Sequence, residues 1–344
     1  MSPQSKVPGE PAAAGAGASG GGAAAAPQQR VITFGDVFGR DAGGLIVLLI
    51  LFGALTLGTN DFLTANNMAN LARQVAVFGI IAVGQLFIIL TAGIDLSVGS
   101  VLGLTGCISA ELLVHGTGVP VAILGGLAAG AAIGVFNGVL VAYGKLPPFI
   151  VTLGMLGIAR GVVLLLTDAS SVQPLPESFG NIANGDFLGL PNLLWLLAVI
   201  VVVAAFVLRR TVFGRYIYAV GSNPESARLA GVPVTRVLIS VYAIGGLLAA
   251  FAGVLFMSRL NAGIPTGGTG YELNAIAACV IGGASLFGAK GGAYGAAAGA
   301  LIVATLNNGG NLLNINSFYL QIIIGALILI AVAFDQYQGR RGRG

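Results

Sequence analysis

Charge is what this chain has least of: 8% of its 344 residues are Asp, Glu, Lys or Arg, where soluble domains carry about 25%. With a mean hydropathy of +0.94, that scarcity excludes an ordinary soluble domain and points to a polytopic membrane protein. The single histidine, His115, lies in a short turn before Pro120 and reads as an exposed loop residue. No Ser-His-Asp arrangement can be assembled around it, and no other catalytic constellation is present. Cys107 and Cys279 sit among apolar residues without CxxC or histidine spacing, so they read as small buried hydrophobes rather than a disulfide or metal site. The stretch 283–288 has the GxxxxG outline of a phosphate loop, but Ala289, Lys290 and Gly291 follow it where GK[ST] would be needed. Residues 1–40 lack a Leu-rich run and are dominated by Ala, Gly and Pro, which predicts a disordered cytoplasmic tail rather than a cleaved signal peptide.

What the chain has instead is glycine, 55 residues of it. In lipid, small residues let helix backbones approach closely, so the predicted fold is an all-α bundle with Gly-broken segments. Spans of about 20 apolar residues can be placed near 42–58, 75–91, 96–114, 119–143, 149–167, 193–208, 237–257, 273–287, 292–306 and 318–334. The transmembrane core is therefore 41–335, followed by a basic tail over 336–344. GIDLSVGSVLG and GGASLFGAKGGAYG each follow a span with a Gly-interrupted turn, a hint of internal repetition and of a re-entrant hairpin at the second.

One long polar interval, 209–236, sets the direction of the spans. It carries Arg209, Arg210, Arg215, Arg228 and Arg236 against the single acid Glu225, and basic loops stay on the cytoplasmic side. Counting from it places Lys145, Lys290, Arg340, Arg341, Arg343 and both termini inside, with Arg73 and Arg259 as exceptions. Within the interval Asn223 suits an N-cap, Pro224 the first helical position, Glu225 the positive dipole end, and Gly231 with Pro233 the stop. A helix of about two turns is marginal alone and needs a surface to pack on. Either it rests on its own spans or it docks into a soluble partner.

Few ionisable groups fall near the spans. Arg160 would cost about 2.5–3.5 kcal/mol facing lipid at mid-bilayer, so it is expected to face the bundle interior, with Glu111 a candidate partner. Asp95 lies between Gly93 and Gly99 just before a span, where it can cap a helix or, with Ser97, mark a gate. Asn137 and Gln85 are further polar candidates for a pathway.

TAGIDLSVGSVLGLTG, GKLPPFIVTLGMLGIARG, FGRYIYAVGSNPESARLAGVPVTR and NAIAACVIGGASLFGAKGGAYGAAAGALI, in this order, resemble the permease subunits of ABC sugar importers of the ribose and xylose type. The resemblance runs from about Arg40 to Asp335. It implies a multi-pass subunit of the cell (inner) membrane that pairs with a second permease copy, docks cytosolic ATP-binding subunits and receives sugar from an extracytoplasmic binding protein. It implies no cofactor on this chain, ATP being used by the partner, and no nucleic acid. The helix from Asn223 would be the coupling helix, with Pro224, Glu225 and Arg228 at the contact and Arg215 holding the loop; Asp95, Ser97, Asn137 and Arg160 would belong to the pathway. A relative for branched-chain amino acids, or an ATP-independent channel or secondary transporter, is the alternative.

Overall fold

The computed structural model describes residues 42–341; the predicted N-terminal tail, within 1–41, and residues 342–344 with Arg343 of the basic tail lie outside the described residues. The helices are α1 (Ala42–Gly58), α2 (Ala65–Leu90), α3 (Val98–Val114), α4 (Val119–Ala142), α5 (Pro148–Leu166), α6 (Glu177–Asn184), α7 (Asn192–Arg210), α8 (Val212–Ser222), α9 (Pro224–Leu229), α10 (Val234–Leu260), α11 (Tyr271–Ile281), α12 (Ala293–Leu312) and α13 (Ser317–Arg341). A two-residue hairpin, β1 (Asp186–Phe187) with β2 (Leu190–Pro191), is the sheet among them. The molecule is an all-α membrane bundle. Helices α2, α4, α5, α7 and α10 are long and apolar enough to cross a membrane, and α1, α3, α11 and α13 contain shorter apolar stretches.

α2 and α10 form the centre. α2 is buried from Val75 through Leu90 and lies against α10, α12, α7 and α11. α10 packs on α4, α2 and α3. Glycine makes these approaches possible: Gly126, Gly130, Gly134 and Gly138 recur every fourth residue on α4, and a Cβ on any of them would collide with α3 or α10. Gly134 lies against the Tyr242 carbonyl and Gly130 against that of Gly246. The periphery is apolar, with Leu153, Ile158, Leu165, Val199, Phe206 and Leu329 exposed, as suits a lipid-facing surface.

Several boundaries differ from those predicted. The polar stretch before the second span is helical from Ala65, because Thr64 caps the helix by accepting from the Asn67 amide. The Asn67 and Asn308 side chains then hydrogen-bond each other reciprocally at 3.1 and 2.8 Å, so the polarity of this stretch faces inward. The loop over 168–192 folds into α6 and the hairpin. α11 ends at Ile281 rather than near 287, and the chain from Gly282 to Gly292 is an irregular connector. The basic interval holds two helices, α8 and α9, and α13 continues to Arg341.

Two of the basic stretches meet at one end of the bundle. Arg209 lies over the Tyr294 ring, 5.3 Å from its centroid, and the Tyr218 hydroxyl donates to the Gly291 carbonyl at 2.9 Å, joining the 209–236 interval to the segment containing Lys290. Arg73 is at the opposite end, 3.4 Å from Asp186.

Gly130→Val is expected to lower the unfolding free energy in detergent by about 1–3 kcal/mol or to prevent folding, as overpacking does, because its side chain would enter α10. Gly154→Ala, at a position with nothing within 4 Å of the added methyl, is the matched control and should leave the thermal midpoint unchanged.

Candidate functional site

α2 ends at the buried Leu90 and α3 starts at the buried Val98, so residues 91–97 are non-helical backbone in which Thr91, Gly93, Asp95 and Ser97 are buried while Ala92 is exposed. Every polar group freed there must find a partner. The amides of Thr91 and Gly93 fold back to the Ile88 carbonyl, and that of Ala92 to Ile89. The Leu90 carbonyl accepts from the Ala289 amide at 3.0 Å, and the Ile94 carbonyl from the Thr152 hydroxyl at 3.2 Å. Gln85, its amide oriented to satisfy both partners, donates to the Asp95 carbonyl and accepts from the Asp95 amide, each at 3.1 Å.

Asp95 is fully enclosed, and its carboxylate accepts from the Ser97 amide at 2.7 Å and the Ser97 hydroxyl at 2.6 Å. This is an Asx turn one step ahead of the helix; Ser97 is the cap position of α3 and makes no side-chain cap bond. The Asn137 amide, from α4, donates to the Ser97 hydroxyl at 3.2 Å. Asp95, Ser97 and Asn137 thus form one buried chain that joins the break to α4. Asn137 Oδ1 and the Tyr242 hydroxyl are both buried without a hydrogen-bond partner. The gap bounded by Asp95, Ser97, Ile133, Asn137 and Gly246 is too tight to admit a water molecule. It is a closed polar seam beside glycine backbone.

Arg160 is not part of that seam. Its guanidinium donates to the Pro265 carbonyl at 2.5 Å and the Gly267 carbonyl at 3.3 Å. These belong to the connector after α10, which turns back into the bundle: Gly103 lies under the Gly267 carbonyl, and Gly99 under Gly268 and the Glu272 carboxylate. The pair with Glu111 does not form. α3 begins deep in the bundle at the break, so Arg160 is level with Gly103, and Glu111 lies further along by about 12 Å of helix rise. Glu111 faces the exposed His115 instead, at 3.6 Å.

At the basic end Asn223 closes α8 and opens α9. Its amide donates to the Ala219 carbonyl at 3.2 Å, and its side-chain oxygen accepts from the amides of Glu225 and Ser226 at 3.0 and 2.9 Å. Pro224 is the first residue of α9. Glu225 and Arg228 are exposed and 3.6 Å apart, Leu229 beside them is 83% exposed, and Ala227 faces inward. Arg215 is exposed and reaches the Thr211 carbonyl at 3.5 Å. Burial pushes the Tyr218 phenol up, with Arg209 acting against it.

Tyr242 and Glu272 escaped sequence reasoning. Tyr242 is hidden in an apolar run; Glu272 follows the glycine-rich TGGTG, a signal for a helix start inside the bundle. Among the described residues no group of three or more His, Cys, Asp or Glu side chains could hold a metal ion.

Residues 67–332 match the family described as branched-chain amino acid transport system / permease component, from the first turn of α2 into α13. The ribose import permease protein of Escherichia coli (strain K12) is 44% identical over 295 residues, covering 85% of this chain and 92% of that protein. The L-arabinose ABC transporter permease protein of Azospirillum brasilense is 39% identical over 302 residues, covering 88% and 89%. The xylose transport system permease protein of Escherichia coli (strain K12) is 37% identical over 359 residues, covering 86% and 91%. No solved structure matches the chain. The break, the inward-turning connector and the basic end all fall inside these matches, and the chain belongs to the family of ABC-type sugar-import permease subunits.

Proposed function

We propose that this chain is the membrane subunit of an ATP-driven importer that moves a neutral monosaccharide, a pentose or hexose, across the cell inner membrane. The carrying observation is the closed seam at the α2–α3 break. Asp95, Ser97 and Asn137 meet glycine backbone there without a nearby cation. Hydroxyl and amide groups offer a polyol replaceable hydrogen bonds without a strong electrostatic trap. The relatives' names for ribose, arabinose and xylose support the same substrate class.

The basic end faces the cytoplasm, as do both termini, and the chain crosses the bilayer about ten times, counting segments of about 20 residues and their shorter partners. A second permease copy completes the membrane part, an extracytoplasmic binding protein delivers the sugar, and a cytosolic subunit binds and hydrolyses ATP. The chain itself holds no cofactor. α9 is the contact with the ATPase, through Glu225, Arg228 and the exposed Leu229, and Arg215 supports it from α8. Arg160 serves the pathway by holding the connector that turns inward from α10.

A second reading, transport of branched-chain amino acids, draws on the family's description. A zwitterion would need opposite charges to meet its ends. The seam supplies one carboxylate and no cation.

Purification from the native membrane is expected to bring down an ATP-binding subunit at one copy per permease, with ATP-dependent uptake of labelled ribose, arabinose or xylose in reconstituted vesicles. A homo-oligomer alone would favour an ATP-independent channel; uptake of leucine but no sugar would favour the second reading.

The exposed Glu225–Arg228 pair contributes about 0–1 kcal/mol to folding. Exchanging the two residues, Glu225→Arg with Arg228→Glu, keeps that pair but reverses the charges a partner meets. It should leave membrane levels unchanged and cut uptake more than about tenfold, equivalent to about 1.4 kcal/mol at an interface; unchanged uptake would remove α9 from coupling.

Asp95→Ala deletes two buried hydrogen bonds and should cost about 1–3 kcal/mol of stability, while Asp95→Asn keeps an acceptor for Ser97. In the pathway reading both lose uptake while Asp95→Asn retains near-normal expression. Full uptake by Asp95→Asn would leave Asp95 a purely structural turn residue.

A further inference from the structure

Gly221, in the last turn of α8, has no room for a side chain. A Cβ there would strike the Leu90 carbonyl and come within 2.8 Å of the Ala289 amide nitrogen. Those two atoms are themselves hydrogen-bonded at 3.0 Å. Next to them a Cβ on Gly288 would lie 2.7 Å from the Gly221 carbonyl and 3.0 Å from Ala92. Three backbones therefore cross at one point: the end of α8, the end of α2 and the connector between α11 and α12. Ala92, Gly288 and Ala289 all have positive φ, 61°, 89° and 58°, a conformation that disfavours side chains and is held here by the surrounding contacts. Tyr218 adds the hydrogen bond to Gly291 that ties α8 to the same connector.

On one side of this crossing stands α9, separated from Gly221 only by Ser222 and the Asn223 cap that the two helices share. On the other side, three residues beyond Ala92, is Asp95 with its seam. We propose that the backbone crossing of Gly221, Leu90 and Ala289 is the element that transmits displacement of α9 to the α2–α3 break, with Gly221 as its positioning residue. The proposal rests on the reading of α9 as the ATPase contact. Contacts between main-chain atoms cannot be relieved by a rotamer change, so a shift of α8 must move the end of α2, the connector, or both. A side chain at 221 would pry the three apart without touching either the seam or the exposed face of α9.

The test uses the full assembly with its ATPase, trapped with ATP and vanadate, and two single-cysteine reporters labelled with a maleimide. Both native cysteines are buried, which keeps background labelling low. Leu229→Cys reports docking at α9, and Leu96→Cys, partly buried beside Asp95, reports the break. In the parent background trapping should change the labelling of both. With Gly221→Ala added, the change at Leu229→Cys should persist, while the change at Leu96→Cys falls about tenfold, within the usual range for coupling between sites. An undiminished response at Leu96→Cys overturns the proposal. No response at Leu229→Cys in the parent background instead removes the docking reading on which it rests. Should Gly221→Ala fail to assemble, Tyr218→Phe, which removes one hydroxyl, takes its place. A several-fold weaker Leu96→Cys response then supports transmission, and an unchanged one overturns it.

Discussion

Backbone groups released by breaking a helix inside a membrane have no water to bond, and the whole bundle is arranged around that constraint. At residues 90–97 the partners come from α2 itself, from Thr152 on α5, from Gln85 and from Ala289 of a distant connector. At the segment after α10 they come from Arg160, from the Met257 sulfur accepting from the Ile264 amide, and from Val172, whose amide and carbonyl both pair with Gly263. Each break is thereby tied to other parts of the bundle. Separating a break from its surroundings would therefore cost those hydrogen bonds.

Glycine is the means by which the ties are short enough. On α3, Gly99, Gly103 and Gly106 face the inward-turning connector and α10, and α4 offers its own stripe to α10. In lipid, burial of apolar side chains gives little drive for helix association, and close packing with hydrogen bonding provides it. The bundle uses its glycines for contact and its Leu, Ile, Val and Phe side chains both for the inner packing of α2 and for the outer surface.

The bundle and its central glycine packing were legible in composition and in the apolar runs, and the nearness of the 209–236 interval to the Lys290 segment in the spacing of basic residues. So was the capped helix at Asn223, because an Asn-Pro-Glu start acts locally. Asp95 and Ser97 could be paired at a glycine-rich place and Asn137 singled out in an apolar run, but Asn137 could not be joined to them, since it reaches Ser97 from 40 residues away. The extent of α2 was hidden because Asn67 looks like loop polarity until Asn308 answers it. Arg160 was assigned the wrong partner for a related reason. Counting rise along α3 from the membrane surface misplaces Glu111, since α3 begins at an interior break, and backbone carbonyls such as those of Pro265 and Gly267 leave no mark in a residue pattern.

Asp95 and the exposed face of α9 have opposite needs, and their arrangement meets both. On the proposed function, a polar seam that releases a sugar must keep its charged and hydroxyl groups away from lipid, which favours a place deep among helices, and a docking face must be exposed. Long side-chain relays between two such places would lose displacement to rotamer freedom. Here α2 stops short at Leu90, the connector after α11 reaches in to meet it, and α8 presents Gly221 to both, so the interior seam is within a few residues of main chain that continues directly into α9. Shortening a central helix costs hydrogen bonds within that helix, and those bonds are recovered from the very segments through which force would arrive. On the proposed function, the break that exposes polar backbone to a passing sugar and the contact that makes the break movable are one structural choice.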